Sequence, residues 1–215
     1  MAFHTIAIIG AGNVGATLGR RFAEAGHQVV FALRNPEDAK YARLDGERRS
    51  RDTIANAAAR AEVVLLATPW KAAQDALAAA GDLTGKTLID ATNPIGPGMV
   101  LTHGTNDSGA EQVSRWSPGA HVVKAFNSIG VEVMAQARFG TPDAPQQALL
   151  FICGDDVTSC DTVAQLAADL DFSPVRLGPL ARARFIEPAA LLWITATAPL
   201  GTREFAFGLL RRGDT

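Results

Sequence analysis

A glycine-rich segment near the start of the chain, residues 10–15 with the sequence Gly-Ala-Gly-Asn-Val-Gly, constrains the fold more than any other feature. It follows an apolar, β-branched run, Thr5–Ile9. Beyond it, Val14, Leu18 and Phe22 recur every four residues, which places them on one face of a helix. The sequence therefore predicts a strand, a tight glycine turn and an amphipathic helix in immediate succession.

This context is the one in which a GxGxxG motif binds a dinucleotide. Gly10 permits the tight turn, Gly12 allows the backbone to approach a pyrophosphate, and Gly15 allows close contact between helix and strand. The free backbone amides at the start of the helix, around Asn13 and Val14, are predicted to bind the phosphates. A glycine-rich turn without a ligand is the alternative interpretation.

Short apolar runs rich in β-branched residues alternate with longer alanine-rich segments, a pattern typical of βαβ units. The predicted strands are Thr5–Ile9, Gln28–Ala32, Glu62–Ala67, Thr87–Asp90, His121–Phe126, Ala148–Cys153 and Phe172–Leu177. Runs without alternation, such as Val63–Leu66, indicate strands that are covered on both faces. We predict an α/β fold with a doubly wound parallel sheet, the Rossmann dinucleotide-binding fold.

Helices are predicted between and after these strands. Beyond the first helix, which Gly26 ends, they lie at residues 108–116, 155–170, 187–197 and 203–212. The last two form a small helical C-terminal extension. We expect a dinucleotide-binding domain, residues 1–180, and this extension, residues 181–215, to form one compact unit.

Composition excludes several classes of protein. The 215 residues include 20 basic and 22 acidic ones, a net charge of −2 that gives no sign of a nucleic-acid or membrane-surface partner. Cys153 and Cys160 lack metal-ligand spacing and suit a reducing cytoplasm. The most apolar stretch, Ala189–Leu200, is far shorter than the roughly 20 residues that a transmembrane helix needs. We expect a cytoplasmic protein without a signal peptide or membrane anchor.

The end of the second predicted strand indicates which dinucleotide binds. NAD-binding proteins place a carboxylate roughly 20 residues beyond the motif, on the ribose 2′-hydroxyl. This chain has Arg34 and Asn35 there instead, and no acid. A guanidinium suits a 2′-phosphate, so the pair favours NADP. The alternative is that Arg34 is a solvated loop residue beside Asp38.

Several longer segments carry a family resemblance. The chain contains, in order, GAGNVGATLGRRFAEAGHQVV, LATPW, DATNPIG, VVKAFNSIG, FICGDD and LGPLARARFIEP. Together they resemble the NADPH-dependent 8-hydroxy-5-deazaflavin reductase family, and they are also similar to the cytosolic NADPH domain of six-transmembrane metalloreductases.

The resemblance implies roles for residues outside the glycine motif. It implies that Arg34 binds the 2′-phosphate and that the nicotinamide-side ribose lies against Ala67, Thr68, Pro69 and Trp70. It also implies that the cleft in which hydride moves is lined by Asn93, Pro94, Asn127, Ser128 and the turn Gly178–Leu180, which contains Pro179.

The chain departs from the family pattern at two of these places. The family often has a serine directly before the arginine, where this chain has Leu33. The deazaflavin reductases tend to have histidine at the position of Asn127, whereas the sequence Lys-Ala-Phe-Asn resembles the metalloreductase domain. The first departure predicts a weaker preference for NADP over NAD, and the second bears on the identity of the acceptor.

Hydride transfer from a nicotinamide to a flavin-like ring needs binding and orientation rather than a protein nucleophile. Accordingly, the sequence contains no metal-ligand or catalytic-triad motif. We predict an NADPH-dependent oxidoreductase whose acceptor is a flavin or 8-hydroxy-5-deazaflavin. The alternatives are a small-carbonyl or imine reductase and a non-catalytic NADP-binding sensor or interaction protein.

Three further residues bear on these alternatives. Lys124 is the candidate proton donor for a carbonyl or imine, although a strand-end lysine that reaches solvent is the simpler expectation. His103 lies in a glycine-flanked loop that could fold over the cleft. Trp193 and its apolar neighbours are expected in the core or at a dimer surface. The apolar C-terminal helices and the resemblance predict a homodimer.

Overall fold

The computed structural model describes residues 3–209 and contains one large sheet with helices on both of its faces. The strands are Thr5–Ile9 (β1), Gln28–Leu33 (β2), Arg49–Thr53 (β3), Val63–Leu66 (β4), Thr87–Asp90 (β5), Ile95–Gly96 (β6), Val100–Leu101 (β7), His121–Lys124 (β8), Arg138–Thr141 (β9), Ala144–Gln147 (β10), Leu149–Gly154 (β11) and Ser173–Arg176 (β12). The helices are Asn13–Glu24 (α1), Ile54–Arg60 (α2), Ala73–Ala80 (α3), Gly109–Trp116 (α4), Val131–Ala135 (α5), Val157–Asp169 (α6) and Ala183–Leu200 (α7).

The order of strands in the large sheet is β12-β11-β8-β5-β4-β1-β2-β3. The six strands from β8 to β3 are parallel, and the chain winds in opposite directions from β1 and from β4. Strand β11 runs antiparallel to β8, with Cys153 opposite Lys124, and β12 is parallel to β11. The predicted doubly wound α/β fold is confirmed, with the sheet's switch point between β1 and β4.

Apolar side chains bury both faces of this sheet. Helices α1, α5 and α6 cover one face, on which Phe22, Phe126 and Phe172 meet edge to face. Helices α2, α3, α4 and α7 cover the other. None of the helices in the described part of the chain combines the length and the apolar character that crossing a membrane requires.

Sequence reasoning missed the polar or short elements. Strand β3 has the sequence Arg-Ser-Arg-Asp-Thr, because it lies at the edge of the sheet and is only partly covered. The segment before β11, in which the sequence predicted no strand, forms the β9–β10 hairpin. Such pairing depends on a neighbouring strand and leaves little trace in hydrophobic periodicity.

The C-terminal prediction was partly wrong. The helix predicted at 187–197 extends over Ala183–Leu200 and ends at Gly201, whose φ is +64°. The helix predicted at 203–212 is absent from its described part, residues 203–209, and its other residues lie outside the described chain. Phe205 instead stacks on Trp193 and accepts a 2.9 Å hydrogen bond from its indole N–H. Tertiary contacts therefore hold this segment without helical structure.

A buried histidine, His27, lies in the turn between α1 and β2. The His27 ring is 1% exposed, its Nδ1 accepts a hydrogen bond from the backbone N–H of His4, and its Nε2 lies 3.3 Å from an Asp169 carboxylate oxygen. Burial lowers the pKa of His27, and the attraction of Asp169 only partly opposes this effect. The folded protein therefore favours the neutral imidazole.

We expect this histidine to weaken the fold in acid. Because its pKa is lower in the folded than in the unfolded chain, the folded chain binds fewer protons, so the free energy of unfolding falls as pH drops below 6.5. Chemical denaturation across this range should show a shallower pH dependence for His27→Gln. Gln28→Ala, at the exposed residue next to His27, should keep the wild-type slope because it removes no titratable group. An unchanged slope in His27→Gln would contradict the assignment.

Candidate functional site

The turn between β1 and α1 requires glycine for steric reasons. Gly10 has a φ of +108°, and a Cβ there would lie 2.6 Å from the carbonyl oxygen of Ala67. A Cβ at Gly15 would lie 1.8 Å from the carbonyl oxygen of Gly10. A Cβ at Gly12, in contrast, would meet no atom of the described chain within 4 Å. The first and third glycines thus build the turn, while the second leaves its outer side open.

The start of α1 offers unpaired backbone donors to this open side. Gly12 caps the helix without a side-chain hydrogen bond, and the first turn contains no acidic residue. The first amide bonded back to the cap is that of Ala16, so the N–H groups of Asn13, Val14 and Gly15 precede the helical ladder. Aligned amides and the helix dipole make this position suited to a phosphate.

A cleft of ≈ 330 Å³ opens beside this helix start. The residues that line it come from the carboxyl ends of β1, β4 and β5 and the segments that follow them: Gly12, Asn13, Val14, Ala67, Thr68, Pro69, Trp70, Ala91, Thr92 and Asn93. Most of the residues proposed from the sequence for the pyrophosphate and the nicotinamide-side ribose therefore meet in one place. Thr68 adds a buried hydroxyl oxygen that has no partner in the described part of the chain.

Arg34 lies directly after β2, at the same edge of the sheet. Its side chain is exposed, and within residues 3–209 it makes no ion pair or hydrogen bond. Asp38, the neighbour that could have neutralised it, is instead paired with Lys40 at 2.8 Å. Asn35 is also exposed. Leu33 is 4% exposed and packs in the core, so position 33 belongs to the fold rather than to the exposed edge.

Trp70 packs within an aromatic cluster. Its ring centroid lies 5.1 Å from that of Trp116 and 5.5 Å from that of His103. The loop that carries His103 follows the β6–β7 hairpin, and Thr102 at its start donates two hydrogen bonds to the carbonyl oxygen of Pro94. His103 therefore lies beside a cleft residue, and Pro94 anchors the loop.

Two asparagines join the ends of β5 and β8. The Asn93 side-chain amide donates to the Asn127 carbonyl oxygen at 2.8 Å, and the Asn127 amide donates to Asn93 Oδ1 at 2.9 Å. The Asn127 amide also lies 3.5 Å from the carbonyl oxygen of Ile186. We call this arrangement the amide clasp. It orients both side chains, and Asn127 Oδ1, in a residue only 7% exposed, has no donor in the described part of the chain.

Lys124 does not reach solvent, contrary to the expectation from the sequence. It is 0% exposed, and its Nζ lies 2.9 Å from Asp90 Oδ2, 2.5 Å from the Thr92 carbonyl oxygen and 3.0 Å from Glu187 Oε1. Burial by itself would lower the pKa of Lys124, but Asp90 and Glu187 outweigh it and raise that pKa. An ammonium has three protons, and three oxygens surround this one.

Glu187 is the member of this group that sequence reasoning missed. Its two carboxylate oxygens accept backbone N–H groups of Gly109 and Ala110, at the start of α4, at 2.9 and 3.0 Å. A Cβ on Gly109 would lie only 3.1 Å from Glu187 and from Pro94, so glycine permits this approach. The available signal was a lone acid within the apolar stretch Phe185–Leu200. We call Asp90, Lys124 and Glu187 the ion triad.

Of the residues proposed for the hydride cleft, Asn93 lines the cleft described above, whereas Pro94, Asn127, Ser128 and the Gly178–Leu180 turn are not among its lining residues. Asn127 adjoins the cleft through its hydrogen bonds with Asn93. Ser128, the next residue, is buried at 2% exposure. Pro179 is exposed in the turn after β12, which the Gly178 carbonyl and the Leu180 amide fasten to Gly154 and Asp155. Because β11 and β12 run antiparallel to β8, this turn leaves the sheet in the opposite direction from Asn93 and Asn127. The structure therefore does not bring Pro179 together with the cleft residues.

Comparison with known proteins agrees with this geometry. Residues 5–94 match the family described as NADP oxidoreductase, coenzyme F420-dependent. The F420-dependent NADP reductase of Methanothermobacter thermautotrophicus is 32% identical over 207 residues, covering 88% of this chain and 87% of that protein. The solved structure of a candidate F420-dependent NADP reductase from Arthrobacter sp. FB24 has a TM-score of 0.85 at 32% identity and covers 97% of this chain and 100% of that one.

A second group of similar proteins is much longer than this chain. The metalloreductase STEAP3 of Rattus norvegicus is 31% identical over 186 residues, which are 86% of this chain but 36% of that protein. Across these metalloreductases the aligned share of the longer protein stays between 36% and 41%. The likeness therefore concerns one part of each metalloreductase.

Proposed function

This chain belongs to the F420-dependent NADP reductase family and is an NADP-dependent oxidoreductase, and from that premise we propose that it transfers hydride between NADP(H) and a deazaflavin or flavin ring. The name of these relatives specifies F420, a deazaflavin, as their co-substrate. For this chain, the residues of the candidate site support the same class of acceptor.

One observation carries the proposal: groups suited to the successive parts of NADP follow one another along the carboxyl edge of the sheet. Arg34 follows β2, the open amides of α1 follow β1, Thr68 follows β4, and Asn93 and Asn127 follow β5 and β8. From β2 to β8 there are four strand spacings, about 19 Å. An extended dinucleotide fits this row with its 2′-phosphate at Arg34 and its nicotinamide toward the amide clasp.

In this arrangement the protein binds and orients, while a bound nicotinamide supplies the hydride chemistry. The amides of Asn13 and Val14 hold the pyrophosphate, and Gly12 leaves room for it. Thr68, Pro69 and Trp70 form the wall beside the nicotinamide-side ribose. Asn127 Oδ1 accepts an N–H group, which the pyrimidine edge of a flavin or deazaflavin provides. That oxygen is otherwise a buried acceptor without a partner in the described chain, an arrangement that costs free energy.

A carbonyl or imine reductase is the weaker alternative, because it needs a proton donor beside the cleft. Lys124 was the candidate, yet its ammonium is enclosed by three oxygens and its pKa is raised. A proton leaves such a group with difficulty. Ring acceptors that take hydride without a simultaneous proton from the protein suit the described residues better.

The cofactor assignment predicts a defined effect at Arg34. A charge-assisted contact contributes about 1.5–3 kcal/mol, so NADPH should bind about tenfold or more tightly than NADH. Arg34→Ala should remove most of this difference, whereas Lys40→Ala, which removes a nearby cation already paired with Asp38, should preserve it. Fluorescence titration with both cofactors measures the ratio. Equal weakening of NADPH and NADH by Arg34→Ala would show that Arg34 does not bind the 2′-phosphate.

A panel of acceptors tests the proposed reaction. NADPH oxidation should be fast with flavins or 8-hydroxy-5-deazaflavin and slow with simple ketones and imines. Loss of one buried hydrogen bond costs about 1–3 kcal/mol, so Asn127→Ala should lower kcat/KM for the ring acceptor about tenfold. Its Kd for NADPH should stay close to that of Asn56→Ala, an exposed control. Faster reduction of a ketone or imine contradicts the proposal, and NADPH binding without turnover indicates a sensor.

The exposed face of α7 supports the expected homodimer. Phe185 and Leu192 are 63% and 61% exposed, and no charged residue occurs from Pro188 to Leu200. A second copy of the chain could cover this face with apolar contacts. Leu192→Glu should shift the protein toward monomer in sedimentation velocity, whereas Val157→Glu, at an equally exposed residue of α6, should not. A wild-type monomer at micromolar concentration would contradict this proposal.

A further inference from the structure

The ion triad and the amide clasp share the same three short stretches of backbone. Thr92, whose carbonyl oxygen accepts from Lys124, directly precedes Asn93. Lys124 itself lies three residues before Asn127, and Glu187 directly follows Ile186, whose carbonyl oxygen faces the Asn127 amide at 3.5 Å. The backbone segments that contain Thr92, Lys124 and Glu187 therefore also contain Asn93, Asn127 and Ile186, the three residues of the amide clasp.

We propose that the ion triad, and Glu187 in particular, is a positioning unit that fixes the orientation of the Asn127 side chain against Asn93, a residue that lines the cleft. The role in catalysis rests on the proposed function, whereas the effect on the orientation of Asn127 does not. Glu187 lies on α7, so this helix becomes part of the reaction site instead of only a surface for association.

Stability alone does not explain three buried charges beside the cleft. A buried ion pair can often be replaced by apolar side chains with little loss of stability, because desolvation offsets much of the attraction. In this chain the contacts of the buried ammonium join three stretches of backbone that are distant in sequence. Here Asp90 also accepts the amide and hydroxyl of Thr92, which fixes the turn that leads to Asn93.

A second ion pair joins the same two helices and provides a matched control. Arg184 on α7 donates to both carboxylate oxygens of Glu111 on α4, at 2.6 and 2.9 Å. This pair is partly exposed and contacts no member of the amide clasp. Its loss should loosen the contact between α4 and α7 without changing the surroundings of Asn127.

The test compares Glu187→Gln with Glu111→Gln. In Glu187→Gln the neutral amide offers one acceptor oxygen to Lys124 and to the two α4 amides, so the start of α7 has to move. Small displacements of reacting groups are costly, so kcat with the ring acceptor should fall about 10- to 100-fold. The Kd for NADPH should stay within about twofold of wild type, since the phosphate contacts are unchanged. Glu111→Gln should keep kcat.

A structural readout accompanies the kinetics and requires no acceptor. The side-chain amide NMR signal of Asn127, assigned with Asn127→Ala, should move in Glu187→Gln and stay in place in Glu111→Gln. If wild type reduces no flavin or deazaflavin, the proposed function fails, and this signal still tests the positioning role. An unmoved signal, a wild-type kcat in Glu187→Gln, or equal losses of kcat in both variants would overturn the inference.

Glu187→Asp covers the case in which Glu187→Gln does not fold. It keeps the buried charge but withdraws the carboxylate by one methylene group, so Lys124 and the α4 amides compete for it. We expect a kcat at least about threefold below wild type, an NADPH Kd like that of wild type and a moved Asn127 signal. A folded Glu187→Asp with wild-type kcat and an unmoved signal would likewise overturn the inference.

Discussion

The buried ammonium of Lys124 connects four elements that are distant in sequence. It draws together the ends of β5 and β8 through Asp90 and Thr92, and through Glu187 it fastens α7 to the start of α4. The three ionised side chains would carry one net negative charge, which the two α4 amides on Glu187 help to balance. In our proposal, the half of the site beyond β4 depends on this interaction.

Different interactions form the two ends of the candidate cofactor site. At the phosphate end the backbone forms the site: Gly10 and Gly15 are required by steric contact, and the start of α1 presents free amides. At the other end the geometry comes from side chains that bond to one another across strands, as Asn93 and Asn127 do. The first end is contained within one βα unit, whereas the second exists only when β5, β8 and α7 have assembled.

The expectations that differ from the structure concern residues whose surroundings come from distant parts of the chain. Lys124 follows an apolar run and resembles a strand end in solvent, because its partners lie 34 residues before it and far after it in the chain. The family resemblance placed Pro179 in the cleft, but the reversal of β11 and β12 points that turn the other way. The prediction of a second C-terminal helix was wrong for its described part, because the indole of Trp193 and the backbone of β11 donate hydrogen bonds to the carbonyl oxygens of Phe205 and Phe207.

The sequence by itself determined the strand–turn–helix unit of the glycine motif, the positions of the apolar strands along the chain and the family. It also determined that the cation Arg34 follows the second strand. These features depend on local periodicity, on glycine sterics and on residue type, which are visible within a few tens of residues. Only the tertiary structure decided that Lys124 is enclosed, that Glu187 contacts it and that Asn127 Oδ1 is buried with no donor among the described residues. Charge burial and side-chain orientation depend on which distant groups become neighbours, and no local pattern encodes that pairing.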